Sequence, residues 1–298
     1  MSYTDPESEP PQQRRSRRVP IVVAGGALVV GGLVGWGAYA AAGGGSAEGK
    51  GVAKPVVRSS PSVAASADDK AVAPLKGKVV VIDPGHNVDN FRHTAEINRQ
   101  VDVGNGRKEC DTTGTSTNDG YAEARFTLDV AHRLRALLER QGATVRLTHD
   151  EKGPDWGPCV DERAEIGNKA HADAAISIHA DGAPVGDRGF HVILPGAVHA
   201  GGADTRPIVG PSRDLGERIA SDFRRVTGEP PSNYIGHGTA LDTRTDLGGL
   251  NLSTVPKVFI ECGNMRDGTD AALLTSGSWR QKAAQGMSEG IVSFLRES

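Results

Sequence analysis

Val79-Val80-Val81-Ile82-Asp83-Pro84-Gly85-His86 sets four β-branched residues in a row ahead of a turn and a histidine. An unbroken apolar run of this kind reads as a strand buried on both faces, as in a parallel sheet. Asp-Pro-Gly is turn chemistry, so the strand ends there and delivers His86 just past its C-terminal edge. Open α/β sheets bind ligands in the crevice at that edge. A histidine so placed is a candidate metal ligand or proton carrier. The competing reading is a histidine that only closes a turn, and the rest of the chain decides between the two.

The same pattern recurs downstream. Ala174 to Ile178 is a second buried run, and it ends in His179-Ala180-Asp181-Gly182. Lys257 to Ile260 is a third, and it delivers Glu261 and Cys262. Ala143 to Thr148 and Gly189 to Leu194 read as further strands. Between them lie helical patterns at Glu123 to Arg140 and at about 160–171, 211–227 and 278–295. Strands alternating with helices imply right-handed crossovers. The expected fold is therefore α/β: a single domain with a mainly parallel twisted sheet flanked by helices. The polar stretch 88–120 reads as one long loop. On the first helix, Phe126, Val130, Leu134, Leu137 and Leu138 form one apolar stripe, with Gly142 as the stop signal. Glu123 lies on that stripe in the first turn, and a carboxylate facing a core needs a partner.

The region ahead of the domain divides by composition. Residues 1–20 are polar and end in Arg14-Arg15-Ser16-Arg17-Arg18, a cytoplasmic disordered tail. Ile21 to Ala42 runs 22 residues without a charge, long enough to cross a bilayer. The preceding arginines put everything after it outside the cytoplasm. The segment reads as a transmembrane anchor or as a signal cleaved near Ala38-Tyr39-Ala40. Residues 43–74, rich in Gly, Ala, Ser, Pro and Val, read as a flexible linker. The folded domain is expected over 75–298, where 26 Lys/Arg stand against 31 Asp/Glu. A mildly acidic body gives no reason to expect nucleic-acid binding. Three cysteines allow one bridge and one free thiol.

His86, His179 and Glu261 sit at strand exits and Glu123 enters from a helix start, so a parallel sheet brings all four to one edge. Two histidines and a carboxylate around an open position make a hydrolytic Zn2+ site. The metal lowers the pKa of water to roughly 7, and a second carboxylate can carry the proton to a leaving amine. Other schemes fit less well. The chain has no H-E-x-x-H, no G-x-G-x-x-G, and no G-x-S-x-G at a strand exit, since Gly286-Met287-Ser288-Glu289-Gly290 falls within the 278–295 helical pattern. The surroundings of Cys110 and Cys159 show no feature that would lower a thiol pKa.

Four pieces in this order carry a resemblance: Ile82-Asp83-Pro84-Gly85-His86, Gly120-Tyr121-Ala122-Glu123, Ser177-Ile178-His179-Ala180-Asp181, and Phe259-Ile260-Glu261 followed by Gly263-Asn264. From about 76 to 297 the chain resembles the zinc-dependent N-acetylmuramoyl-L-alanine amidases, the amidase-3 family of cell-wall enzymes. The resemblance implies one zinc ion on His86, Glu123 and His179, with Glu261 as general acid/base. It implies as substrate the amide joining N-acetylmuramic acid to L-alanine of the peptidoglycan stem peptide. The chain departs from the commoner pattern at Asn87 and Asn264. Variants of this form, with cysteines placed like Cys110 and Cys159, carry a disulfide there, which fits an oxidising compartment.

The resemblance also implies substrate contacts in the loop before the last strand, where Arg244, Asp246, Leu250 and Asn251 lie; Asn264 is a further candidate. Asp83 reads as a residue orienting a ligand or as a turn former, and Arg163 as a structural pairing partner. Cys262 is expected to face away from Glu261 into the core. His191 and the remaining histidines match no motif and read as structural or exposed. An extracytoplasmic monomer is expected, anchored through 21–42 or secreted. A zinc carboxypeptidase-like peptidase, with Arg188 or Arg244 receiving a terminal carboxylate, and a non-catalytic wall-binding module are the alternatives.

Overall fold

The computed structural model describes residues 73–297. The expected tail, the 21–42 segment and nearly all of the linker lie outside the described residues. Among the described residues, no helix is long and apolar enough to cross a membrane.

In chain order the elements are β1 (Val79–Pro84), α1 (Thr94–Ile97), β2 (Gln100–Asp102), β3 (Arg107–Glu109), α2 (Glu123–Arg140), β4 (Thr144–Leu147) and α3 (Val160–Lys169). They continue with β5 (Ala174–Asp181), β6 (His191–Pro195), β7 (His199–Ala200), β8 (Ala203–Asp204) and α4 (Arg206–Thr227). The chain closes with β9 (Leu241–Arg244), α5 (Gly248–Asn251), β10 (Lys257–Asn264), α6 (Gly268–Leu274) and α7 (Gly277–Glu297). Six strands form the central sheet in the order β4-β1-β5-β10-β6-β9. The β4/β1, β1/β5 and β5/β10 pairs are parallel, as is β6/β9; β10/β6 is antiparallel. The sheet is thus mainly parallel, with two strands reversed at one side.

The two faces of this sheet differ in chemistry because side chains alternate along each strand. One face presents Val80, Ile82, Ile176, Ile178, Val192, Leu194, Val258, Ile260 and Cys262 to a single apolar core, which α2, α4 and α7 complete. Phe126, Val130, Leu134 and Leu138 of α2 are fully buried there, each worth roughly 1.5–3 kcal/mol. α4 and α7 approach closely because Gly286 and Gly290 face the α4 backbone. A Cβ on Gly290 would stand 2.6 Å from Ile219 Cα. Cys262 is the free, buried thiol of this face.

The opposite face carries a small apolar cluster of Val81, Ala175 and Val255 and, toward the strand C-termini, polar residues. The strand registers set Asp83, Ser177 and Phe259 in one row, and His179, Glu261 and His191 in the next.

Two expectations are corrected. The stretch 88–120 is not one loop: it holds α1, the β2–β3 hairpin and buried Ile97, Val101 and Val103. Its anchor is the Cys110–Cys159 disulfide, which ties the end of the hairpin to the start of α3. α4 also begins five residues before the expected position, at Arg206. Pro207 suits a helix start, where a missing N–H costs nothing. Pro211, which looked like the first residue, lies inside the helix instead.

Candidate active site

Two strand ends and one helix start build the site. β1 ends at Pro84, and Gly85 lets the chain turn beneath the His179 ring: a Cβ there would meet the ring atoms at 2.3–2.7 Å. His86 follows with φ +62°, the left-handed region that costs a non-glycine residue about 1 kcal/mol or more. Thr127 in α2 holds the turn by donating from Oγ1 to the Gly85 carbonyl at 2.8 Å. Glu123 is the first residue of α2, where the helix dipole favours negative charge. Gly114 gives its carboxylate room, since a Cβ on Gly114 would lie 2.7 Å from both Glu123 Oε2 and His86 Cδ2.

These constraints bring His86, Glu123 and His179 together. Their ligand atoms lie within 4.8 Å of one another. His86 Nε2 is 3.2 Å from Glu123 Oε2, and His179 Nδ1 is 3.0 Å from Glu123 Oε1. The carboxylate also accepts the backbone N–H groups of Thr115 at 2.9 Å and Ala180 at 3.2 Å. Burial works against its charge, but the two histidines outweigh burial and hold its pKa well below the usual carboxylate range. Burial likewise disfavours a charged His86, yet Glu123 and Asp111 raise its pKa to about 10.

The outer contacts fix which nitrogen faces inward. His86 Nδ1 lies 3.1 Å from the Thr112 carbonyl and 3.5 Å from Asp111 Oδ1. It donates to that carbonyl, so the ring keeps its outer N–H and Nε2, now turned to Glu123, is the nitrogen that a bound metal would take in place of its proton. Ser177 Oγ donates to Asp83 Oδ2 at 2.9 Å and therefore accepts from His179 Nε2 at 3.2 Å. His179 Nδ1 donates to Glu123 Oε1 at 3.0 Å and is the nitrogen that a bound metal would take in place of that proton. Histidine ligands ordinarily have their outer N–H held in this way. Two imidazole nitrogens and a carboxylate, all aimed at one point, match the donor preferences of Zn2+, which would displace the inner protons.

Below the ligands lies a buried charge network. Asp83 accepts from Thr148 at 2.7 Å, Arg163 at 2.8 Å, Ser177 at 2.9 Å and Lys257 at 3.3 Å. Asp83 is thus neither a bare turn former nor a ligand; it holds the serine that holds His179. Arg163 bridges Asp83 and Asp111, the pairing role expected of it. A cavity of about 260 Å³ adjoins the site. Lys108 and Glu109 of the hairpin, Phe259 of β10 and both histidines line it.

Glu261 stands on β10 directly beside His179. Its Oε2 is buried without a hydrogen-bond partner. Burial pushes its pKa well above the usual value, and Glu123 and Asp181 push the same way. Such a carboxyl is suited to holding a proton and giving it up.

The expected substrate contacts fare differently. Asn264 is fully buried, and its Nδ2 donates to the carbonyls of Ala183, Pro184 and Asp187. Asn251 is also buried and donates to Val103 O, Asn105 Oδ1 and Thr245 O. The Nδ2 groups of both are thus engaged within the fold, while Asn251 Oδ1 is buried without a partner. Arg244 is half-exposed and clamps Asp246 at 2.6 and 2.8 Å; its charge acts on Glu261. Sequence reasoning missed Ser177, Asp111 and Gly114. Ser177 lies two residues before His179 on one strand, so strand alternation alone could have found it.

The comparisons with known proteins agree with this geometry. The family model for N-acetylmuramoyl-L-alanine amidase, Amidase_3, matches residues 80–293. The N-acetylmuramoyl-L-alanine amidase Rv3717 of Mycobacterium tuberculosis is 42% identical over 228 residues, which cover 75% of this chain and 88% of that one. The crystal structure of the N-acetylmuramyl-L-alanine amidase Ami1 from Mycobacterium smegmatis matches with a TM-score of 0.68 at 40% identity, over 75% of this chain and 99% of that one. The apo form of Ami1 from Mycobacterium abscessus gives a TM-score of 0.67 at 40% identity, over 74% and 100%. With its sheet, its ligand cluster and these relatives in agreement, the chain belongs to the N-acetylmuramoyl-L-alanine amidase family, Amidase_3, and is an enzyme of that activity.

Proposed function

We propose that the chain hydrolyses the amide between N-acetylmuramic acid and L-alanine in peptidoglycan with one Zn2+ ion held by His86, Glu123 and His179. The observation that carries this reading is the convergence of those three ligand atoms within 4.8 Å, next to a carboxyl with an unpaired oxygen. When bound, the metal supplies Lewis acidity toward the amide carbonyl and toward water. Glu261 takes a proton from the attacking water as its oxygen bonds to the carbonyl carbon. It returns that proton to the alanine nitrogen as the C–N bond breaks. Asp83, through Ser177, and the Thr112 carbonyl keep the two imidazoles in the tautomers that present lone pairs. Arg244, at the reversed side of the sheet, is the remaining candidate for contact with the stem peptide.

Extracytoplasmic action follows from the substrate, and the Cys110–Cys159 bridge fits an oxidising compartment. Anchoring or export through 21–42 is part of the same proposal. The carboxypeptidase alternative loses its support, because Arg188 is bound to Glu229 and Asp270 and Arg244 to Asp246. Neither is free to receive a terminal carboxylate. Digestion of purified wall tests the reading. Release of stem peptides beginning with L-alanine, one zinc per chain, and loss of both on His86→Ala are expected. Single free amino acids as product would overturn it.

A further inference from the structure

His191 matches no motif, yet the sheet places it beside the catalytic carboxyl. In the antiparallel β6/β10 pair, His191 is the direct register partner of Glu261. Directly opposed residues point to the same face, with Cβ atoms about 4.5–5.5 Å apart. His191 is 1% exposed, and its Nδ1 is buried with no hydrogen-bond partner. Glu261 Oε2 is orphaned in the same way. Buried polar atoms are nearly always paired, so two orphans on adjacent cross-strand residues call for one explanation.

Packing does not supply it. The His191 and Tyr234 rings pack edge to face at a centroid distance of 6.0 Å. Phenylalanine would make that contact without burying an unpaired nitrogen, which costs about 1–3 kcal/mol. Burial keeps the imidazole neutral against the pull of Asp181 and Asp242, and a neutral imidazole carries one N–H donor. Tyr234 is itself tied away, donating to Asp181 at 2.8 Å.

We propose that His191 is a positioning residue: it donates a ring N–H to the Glu261 carboxylate and holds that carboxylate aimed into the cleft. This rests on the reading of Glu261 as the general acid/base. The donation gives the orphaned oxygen its partner and leaves the other oxygen to face water and the leaving amine. Without it, Glu261 keeps its chemistry but samples side-chain rotamers that miss the scissile bond.

The test compares wild type, His191→Phe, His191→Asn, Glu261→Gln and the Phe/Gln double variant on a soluble muramoyl peptide, with zinc content and melting temperature measured for each. His191→Phe is expected to lower kcat about tenfold or more with KM within about twofold. His191→Asn, which restores a donor, is expected to recover part of the loss. The Phe substitution should cost nothing further in the Glu261→Gln background. An unchanged kcat in His191→Phe, an equal loss in that background, or losses that simply track melting temperature would overturn the proposal. A second readout needs neither metal nor activity. In metal-free, 15N-histidine-labelled protein, the His191 ring resonance, assigned by its absence in His191→Asn, should move on Glu261→Gln; an unmoved resonance overturns the pairing. Should Glu261→Gln remain fully active, the acid/base reading and the catalytic part of the proposal fail together, while the resonance still decides the contact.

Discussion

Arg163 Nη1 donates to Asp83 Oδ1 at 2.8 Å, in a place where both side chains are almost inaccessible. Its other guanidinium nitrogen reaches Asp111 Oδ2 at 2.9 Å. Through Asp111 it touches the outer side of His86, and through Asp83 and Ser177 the outer side of His179. One cation thus underlies both histidines. Removing one partner of a buried pair strands the others. Arg163→Met is expected to cost about 3–5 kcal/mol of stability and to weaken zinc binding about 10- to 100-fold. Chemical denaturation and zinc titration check the two effects separately. Full zinc affinity in a folded Arg163→Met protein would show that the network supports the fold alone.

Ser177→Ala isolates the other arm. The His179 Nε2–H loses its acceptor, and the imidazole is free to present N–H rather than a lone pair at Nδ1. Zinc affinity should fall about tenfold or more, with little loss of stability because Asp83 keeps Arg163, Lys257 and Thr148. Competition with a zinc chelator measures it. Affinity equal to wild type would mean that the tautomer is set elsewhere.

Gly114→Ala targets the space around Glu123. The backbone there has φ +71°, and the new methyl would press on Glu123 Oε2 and His86 Cδ2. The conformational penalty is about 1 kcal/mol, so the protein should fold. Metal binding should nevertheless be lost, as His86 and Glu123 are pushed apart. A folded Gly114→Ala protein with full zinc content would refute the steric argument.

How much of this was legible in the sequence depends on what sets each position. His86, His179 and Glu261 could be read because a strand is straight: residues at the end of a buried run come to the C-terminal edge of the sheet. Glu123 could be read because helix phase is local, and Cys262 because it alternates with Glu261. The amide contacts of Asn264 and Asn251 are not legible, because nearness to a motif says nothing about which way an amide points. Asp111 and Gly114 come from the stretch 88–120, whose path is set by the disulfide and by contacts with residues far along the chain, not by periodicity. His191 was dismissed because its partner lies 70 residues away, and only strand pairing joins them.

Away from the site, burial and the neighbouring Asp270 raise the Glu229 pKa to about 7, against the pull of Arg188. Its folded value lies above its ordinary 4.5, so between these two values the folded state binds more protons than the unfolded chain. Stability from this group is therefore greatest below about pH 4.5 and falls as pH rises toward 7. The change is on the order of 2–3 kcal/mol. Glu229→Gln keeps an acceptor for Arg188 and a donor for Asp270, and should flatten the slope. Urea denaturation at pH 5 and pH 8 reads it; equal slopes in wild type and variant would remove Glu229 as the source.

Cys110 and Cys159 close a loop of 49 residues and sit in a small apolar cluster with Val101 and Val103. Cross-linking across that separation restricts the unfolded chain by about 4 kcal/mol in the chain-entropy picture, with observed values commonly 2–4. The bridge also anchors the hairpin that carries Lys108 and Glu109 to the cavity beside the ligands. That cluster is separate from the core that α2, α4 and α7 form on the central sheet. Cys110→Ser with Cys159→Ser should therefore lower the melting temperature and loosen the hairpin first. Amide exchange should rise over 100–109 while β1, β5 and β10 stay protected, and KM should rise more than kcat falls. If exchange rises equally in β1 and β5, the bridge supports the whole domain and the hairpin is not a separable unit.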